Sequence, residues 1–216
     1  MTDLFFTLYE NASVKNTQWW PNFGTFEVVI GAILTQNTKW QNVEIALCNL
    51  KNYDAINLEK IATMPREKLA ELIKPSGFYN MKAKRLQMLC TAIATDFGDF
   101  ENFKDSVCRE WLLSQKGVGA ESADSILCYA CERPEMVVDN YALKILGILG
   151  YEFESYDEAK EFLSSLDFEK IYTKTGLSDE NSVFSLYHGL IVEFCKAHLK
   201  GKIFDDFALN LFKNFN

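Results

Sequence analysis

The stretch Gln115-Lys116-Gly117-Val118-Gly119-Ala120-Glu121-Ser122-Ala123 decides the fold. Trp111-Leu112-Leu113 precede it, and apolar residues at helical spacing follow as far as Cys131, before Pro134 stops the run. A Gly-x-Gly turn therefore joins two helices. Its glycines allow backbone N–H groups to come close to a phosphate at a helix N-terminus. Val137-Val138-Asp139 follows, with its carboxylate 18 residues after Glu121, at the start of another helix. Each piece also has an ordinary reading, the first as a plain helix–helix turn and the second as an N-cap.

Moving outward, nearly every segment reads as helix. Phe26 to Gln36 is apolar on most faces, and Trp40 to Leu50 follows with Thr38 as the expected N-cap. Asn57 and Pro65 open short helices, and Met81 to Asp96 carries a stripe at Leu86, Leu89, Cys90 and Ile93. Further helices are expected over Ser106–Ser114, Ala120–Cys131, Val137–Leu149, Ser155–Leu166, Asn181–Leu199 and Asp205–Phe212. No alternating strand pattern, internal repeat or low-complexity tract interrupts them. The expected class is all-α.

Composition sets the bounds. Apolar residues make up 48% of 216 and prolines number only 4, which excludes a disordered chain. The longest apolar stretch, Val28 to Leu34, falls far short of the ~18 residues that span a bilayer. Asp3 and the lack of a basic start do not suit a signal peptide. Cys48, Cys90, Cys108, Cys128, Cys131 and Cys195 lie in helical, apolar contexts rather than a secreted disulfide framework. The expectation is a reduced, cytoplasmic monomer with no membrane partner. The net charge of −8 argues against a nucleic-acid surface spread over the whole molecule, and leaves local basic clusters at Lys82, Lys84 and Arg85, and at Lys196, Lys200 and Lys202.

The hairpin and Asp139 resemble the helix-hairpin-helix and catalytic aspartate of the endonuclease III superfamily of DNA glycosylases. Three further stretches are similar to its helical 3-methyladenine DNA glycosylase branch: Trp19-Trp20-Pro21 through Trp40, Pro75 through Leu86, and His188 through Phe194. The resemblance covers most of the chain and is weakest over 150–180. It implies a two-lobed helical fold with the active cleft between lobes. Residues 1–25 with 137–216 would form one lobe, and 26–136 the other. It implies a double-stranded DNA partner containing alkylated bases, and base excision by flipping.

The same resemblance assigns roles. Gly117, Val118, Gly119 and Ser122 would hold a DNA phosphate, with Lys82, Lys84 and Arg85 on the backbone. Carbonyls of Leu113, Gln115 and Val118 are where relatives hold a monovalent cation. Asp139 would stabilise the sugar cation as the glycosidic bond breaks, although Val138-Asp139-Asn140-Tyr141 departs from the family pattern V-D-T-H. Gln36 would fill the gap left by the extruded base; helix C-terminal capping is the plain alternative. Trp19, Trp20, Pro21 and Trp40 would sandwich that base, with Lys196 beside it. A base alkylated at N3 or N7 is cationic, and each aromatic face attracts it by ~0.5–2 kcal/mol. Three core tryptophans and a surface lysine are the plain alternative.

Two departures narrow the reading. Bifunctional members carry a lysine where this chain has Glu121, and a carboxylate forms no Schiff base. The expected enzyme is therefore monofunctional, using water. Only Cys195 follows Cys131, so the four-cysteine iron–sulfur loop of many relatives is not expected, and no other cofactor is implied. His188, Cys195 and His198 read as packing rather than metal ligands, as does Cys128-x-x-Cys131. A glycosylase for oxidised pyrimidines or mismatched adenine, and a non-catalytic DNA-binding hairpin module, stay open as alternatives.

Overall fold

Phe26–Leu34 is apolar on every face, and all of its residues are buried, as befits the middle of a bundle. Its one charge, Glu27, is matched by Lys51 at 2.8 Å and by the Asn22 amide at 2.6 Å. The computed structural model describes residues 1–13, 15–213 and 215. In chain order its helices begin with α1 (Thr2–Asn11), α2 (Phe26–Leu34), α3 (Trp40–Asn52), α4 (Leu58–Thr63) and α5 (Arg66–Leu72). A 3-10 turn at Lys74–Ser76 leads into α6 (Tyr79–Asp96), α7 (Phe100–Ser106), α8 (Arg109–Ser114) and α9 (Ala120–Ser125). α9 runs on as a π turn, Ile126–Ala130, closed by the Cys131 N–H on the Ile126 carbonyl at 3.0 Å. Then come α10 (Asn140–Ile148), α11 (Tyr156–Ser164), α12 (Phe168–Thr175), α13 (Glu180–His198), the strands β1 (Leu199–Lys200) and β2 (Ile203–Phe204), and α14 (Asp206–Phe212).

The chain divides into two compact units. One is Pro21–Glu132, holding α2 to α9; the other is Met1–Trp20 together with Arg133–Asn216. The expected limits lay at 25/26 and 136/137. Hydrogen bonds explain where they fall instead. Gly24 N–H reaches the Tyr129 carbonyl at 2.8 Å, which ties the 21–25 turn to α2's bundle. The Arg133 carbonyl accepts from Asn181 at 2.6 Å, Glu135 pairs with Lys160, and Met136 is fully buried in the other core.

In the Pro21–Glu132 unit, α2 packs against α3, α6, α9 and the π turn. In the other, α13 is the central helix and packs on α1 and α10. Its buried residues Val183, Phe184, Leu186, Tyr187, Leu190, Ile191, Phe194 and Cys195 join Leu4, Phe5, Leu8, Ala142, Ile145 and Leu146 in one core.

Some local expectations need correction. Thr38 does not cap α3: Lys39 holds that position, and the Thr38 hydroxyl bonds the Ser76 carbonyl. Ser106–Ser114 is not one helix, because Val107 turns extended between α7 and α8. α1 and α12 were not foreseen, and neither was the β1–β2 hairpin, whose Gly201 supplies a positive φ of 67° in a two-residue loop. No described helix is long and apolar enough to cross a membrane.

Candidate functional site

The hairpin turn comes first. α8 and α9 are clamped by Arg109, whose Nε lies 2.8 Å from Asp124 Oδ1 and whose Nη2 lies 3.3 Å from Oδ2. Asp124 is fully buried, so this two-pronged bond fixes the hairpin from inside. The two glycines do different jobs. Gly117 has φ +92°, and a Cβ there would stand 2.6 Å from Arg85 Nε and 2.8 Å from its Cγ. Gly119 has an ordinary φ of −94° as the N-cap of α9, and a Cβ there would meet nothing within 4 Å. Nothing inside the protein requires a glycine at 119. Its bareness leaves the exposed helix start open to a close approach.

Gln36 and Arg85 meet at this turn. Gln36 Nε2 donates to the Gly117 carbonyl at 2.9 Å and to Ser122 Oγ at 3.0 Å. Arg85 Nη1 donates to Gln36 Oε1 at 3.2 Å. The expected gap-filling residue thus rests against the hairpin, and Ser122, itself buried, turns its oxygen toward Gln36.

Two of the expected backbone contacts are reassigned. Lys82 is only 2% exposed, and its ammonium donates to the Leu34 carbonyl, Thr38 Oγ1 and the Ser76 carbonyl, each at 2.7 Å. All its donors are taken by protein, so it is a strut between two loops and not a phosphate ligand. Val118 N–H is committed to the Gln115 carbonyl at 3.0 Å, so this amide closes the turn, and that carbonyl, expected at a cation, already accepts a bond. Lys84 is exposed and Arg85 half-buried. Leu113 is 40% exposed, at the end of α8.

Phe78, in the loop that Lys82 braces, was passed over in the sequence reading. It is 73% exposed with φ +46°, a strained conformation for an aromatic residue. The left-handed backbone, rather than exposure alone, makes Phe78 a candidate functional residue.

The other unit carries the carboxylate. Asp139 is the N-cap of α10, with Oδ1 accepting the Ala142 N–H at 2.8 Å. His188 Nε2 faces Oδ2 at 3.6 Å; the Asp139 side chain keeps 18% exposure and that of His188 only 4%. Burial is the largest influence on the Asp139 pKa and acts to raise it. The contact and charge of His188 and the N–H groups of Ala142 and Tyr141 outweigh it, and hold the carboxyl below its ordinary 3.8. Asp139 is thus both a cap and an ionised, partly exposed carboxylate.

Trp19 packs edge-on against His188, with ring centres 5.6 Å apart, and against Trp20 at 6.2 Å. Gly189 makes room for it, since a Cβ there would lie 2.7 Å from Trp19 Cγ. Lys196 Nζ sits 5.5 Å from the Trp19 ring centre and 2.7 Å from Glu193. The structure therefore gathers Asp139, His188, Trp19 and Lys196 in one unit. Trp20 is buried in the same unit. Pro21, exposed, and Trp40, half-buried at the start of α3, belong to the other. The remaining histidine and cysteines do not converge: His198 bonds Asp205 at 2.9 Å, Cys195 lies 3.8 Å from the Tyr141 carbonyl, and Cys128 and Cys131 are buried. Among the described residues no metal-ligating cluster forms.

Residues 30–166 match the family described as HhH-GPD superfamily base excision DNA repair protein. The chain belongs to that superfamily. A putative DNA repair glycosylase of Methanocaldococcus jannaschii is 45% identical over 195 residues, 87% of this chain and 84% of the relative. Among HhH-GPD structures, the crystal structure of H. pylori 3-methyladenine DNA glycosylase (MagIII), bound to 1,N6-ethenoadenine, is also 45% identical. Its TM-score is 0.83, covering 93% of this chain and 100% of that one. A trapped endonuclease III–DNA covalent intermediate, at 19% identity and TM-score 0.69 over 92% and 84% of the two chains, shares the fold. This HhH-GPD protein is a DNA glycosylase of base excision repair.

Proposed function

We propose that this glycosylase is monofunctional and hydrolyses the N-glycosidic bond of alkylated purines in double-stranded DNA, 3-methyladenine first. The observation that carries the reading is the Asp139 carboxylate, held ionised and partly exposed at the head of α10. An alkylated purine is already a good leaving group, so the enzyme's task is to stabilise the cation that develops on the sugar. A carboxylate with a lowered pKa suits that task better than proton abstraction, for which a pKa nearer the working pH is best. Asp139 stabilises the sugar charge and orients the attacking water.

The hairpin holds the DNA backbone at the exposed turn around Gly119, with Arg85 against the turn and Lys84 exposed on α6. Gln36 and Phe78 enter the stack. Trp19, Trp20 and Lys196 receive the base, whose positive charge is favoured by the indole faces. The similarity to a 3-methyladenine glycosylase along its full length supports this substrate class. Glu121, exposed in the first turn of α9, offers no amine for a Schiff base, which supports hydrolysis without an efficient lyase step.

The test is free-base release from methylated duplex DNA, resolved by chromatography, for wild type and Asp139→Asn. Release of 3-methyladenine by wild type alone is expected, without strand cleavage. Release of oxidised pyrimidines or mismatched adenine instead, or DNA binding with no release at all, would overturn the substrate reading. Full activity of Asp139→Asn would overturn the role of the carboxylate.

A further inference from the structure

We infer that His188 is a positioning residue for Asp139, fixing the rotation of its carboxylate through a contact relay that runs on to Trp19 and Lys196. The inference rests on the catalytic reading of Asp139. It begins from burial: His188 lies in the middle of α13 with 4% of its side chain exposed, where an imidazole needs polar company. Its Nε2 stands 3.6 Å from Asp139 Oδ2, while the other oxygen, Oδ1, is tied to the Ala142 N–H at 2.8 Å.

The two contacts together define the carboxylate plane. An aspartate's χ2 is broad when left to itself. The N–H groups of Ala142 and Tyr141 hold it from the α10 end. His188, 3.6 Å from the far oxygen, restricts its remaining rotation by contact and charge, and so bears on where the negative charge lies relative to a developing cation. The imidazole is itself held. Trp19 meets it edge-on at 5.6 Å and 78°, and Trp19 is seated by the bare face of Gly189 and the Lys196 ammonium 5.5 Å from its ring. Movement of Trp19 as it receives a base is therefore transmitted to the carboxylate by direct contact.

The charged and titratable groups around this relay are few. Lys196 is paired with Glu193 at 2.7 Å. Burial, first, and the charge of Asp139 push the Cys195 thiol up to about 12, and burial pushes the Tyr187 hydroxyl up as well, so both stay neutral at pH 7. Asp139 is the anion that His188 faces.

The experiment compares wild type, His188→Ala and His188→Gln, whose amide nitrogen can take the place of the imidazole Nε2. Single-turnover base release should fall roughly 10- to 100-fold in His188→Ala with substrate affinity nearly unchanged, the size expected of a misplaced catalytic group. His188→Gln should recover most of the loss. Carbon-detected titration of the Asp139 carboxyl supplies a readout independent of activity: its pKa should rise in His188→Ala and return toward wild type in His188→Gln. An unshifted Asp139 titration, or a loss in His188→Ala that follows affinity or melting temperature instead of turnover, would overturn the inference. Failure of wild-type protein to release base from methylated DNA, with the Asp139 shift present, would instead overturn the proposed substrate and catalytic role of Asp139 while leaving the contact established.

Discussion

Replacing Lys82 by Met keeps the length of the buried stem and removes only the ammonium. That ammonium serves three acceptors at 2.7 Å, which join the end of α2 to the loop before Phe78. The losses are unequal. The Ser76 carbonyl keeps the Thr38 hydroxyl as a donor, and that hydroxyl also lies 3.3 Å from the Gln36 carbonyl. The Leu34 carbonyl has most to lose. Stranding one buried acceptor and weakening two more costs about 4–6 kcal/mol at the usual values for bonds to charged groups. Against this stands the relief of no longer burying a charge. Burial, and secondarily Arg85, bring the Lys82 pKa down from 10.5 to about 8. At ~1.4 kcal/mol per pKa step that is about 3 kcal/mol. The net loss is about 1–3 kcal/mol, or roughly 3–10 °C in Tm for a chain of this size. The sign with pH follows. The folded pKa is depressed, so between about 8 and 10.5 the unfolded chain binds more protons and wild-type stability rises with pH. Calorimetry of both proteins across that range should show the gap in Tm widening as pH rises. A Lys82→Met protein as stable as wild type at pH 7, with a flat gap above pH 8, would refute the strut.

Four other outcomes follow from the site. Asp139→Asn should lose base release with a Tm near wild type, because Asn also caps a helix, whereas Asp139→Ala should in addition lose ~0.5–2 kcal/mol of stability; both are read by excision assay and thermal melting. Gly117→Ala forces a side chain at φ +92° into Arg85 and should cost about 1–3 kcal/mol. Gly119→Ala should leave the melt unchanged and still weaken duplex binding, so an unaffected affinity there would remove Gly119 from the DNA interface. Arg109→Ala leaves the fully buried Asp124 carboxylate without its two-pronged partner. It should cost ~3–5 kcal/mol, measured by urea unfolding of the isolated protein.

The features legible in the sequence are those written in contiguous residues. α2 announces itself by an unbroken apolar run, the hairpin by Gly117-Val118-Gly119 between apolar segments, and α10 by Asp139 at its head. What stayed hidden depends on partners far along the chain. Lys82 looked like part of a surface cluster with Lys84 and Arg85, yet adjacent residues on a helix face different ways, and its acceptors lie at 34, 38 and 76. Gln36 reaches the hairpin across more than eighty residues of chain. His188 was read as a satisfied helix residue. Its position among Phe184, Tyr187, Ile191 and Cys195, all buried, was the available signal, since an imidazole on a core stripe calls for a polar partner from elsewhere. The β1–β2 hairpin is too short for its alternation to register.

The three hydrogen bonds of Gln36 bear on how such a protein would patrol undamaged DNA. At a net ~0.5–1.5 kcal/mol each, they keep the side chain stowed by about 1.5–4.5 kcal/mol, so that its released form makes up roughly one part in ten to one in a few thousand. Were Gln36 to enter the stack as proposed, stowing it in this way would let the protein pass intact base pairs without catching on them. The latch is made of Gly117, Ser122 and Arg85, the same turn expected to take hold of a phosphate. Any pull of a phosphate on Arg85 loosens the latch, which reserves the costly act of interrogation for places where the protein has already come to rest.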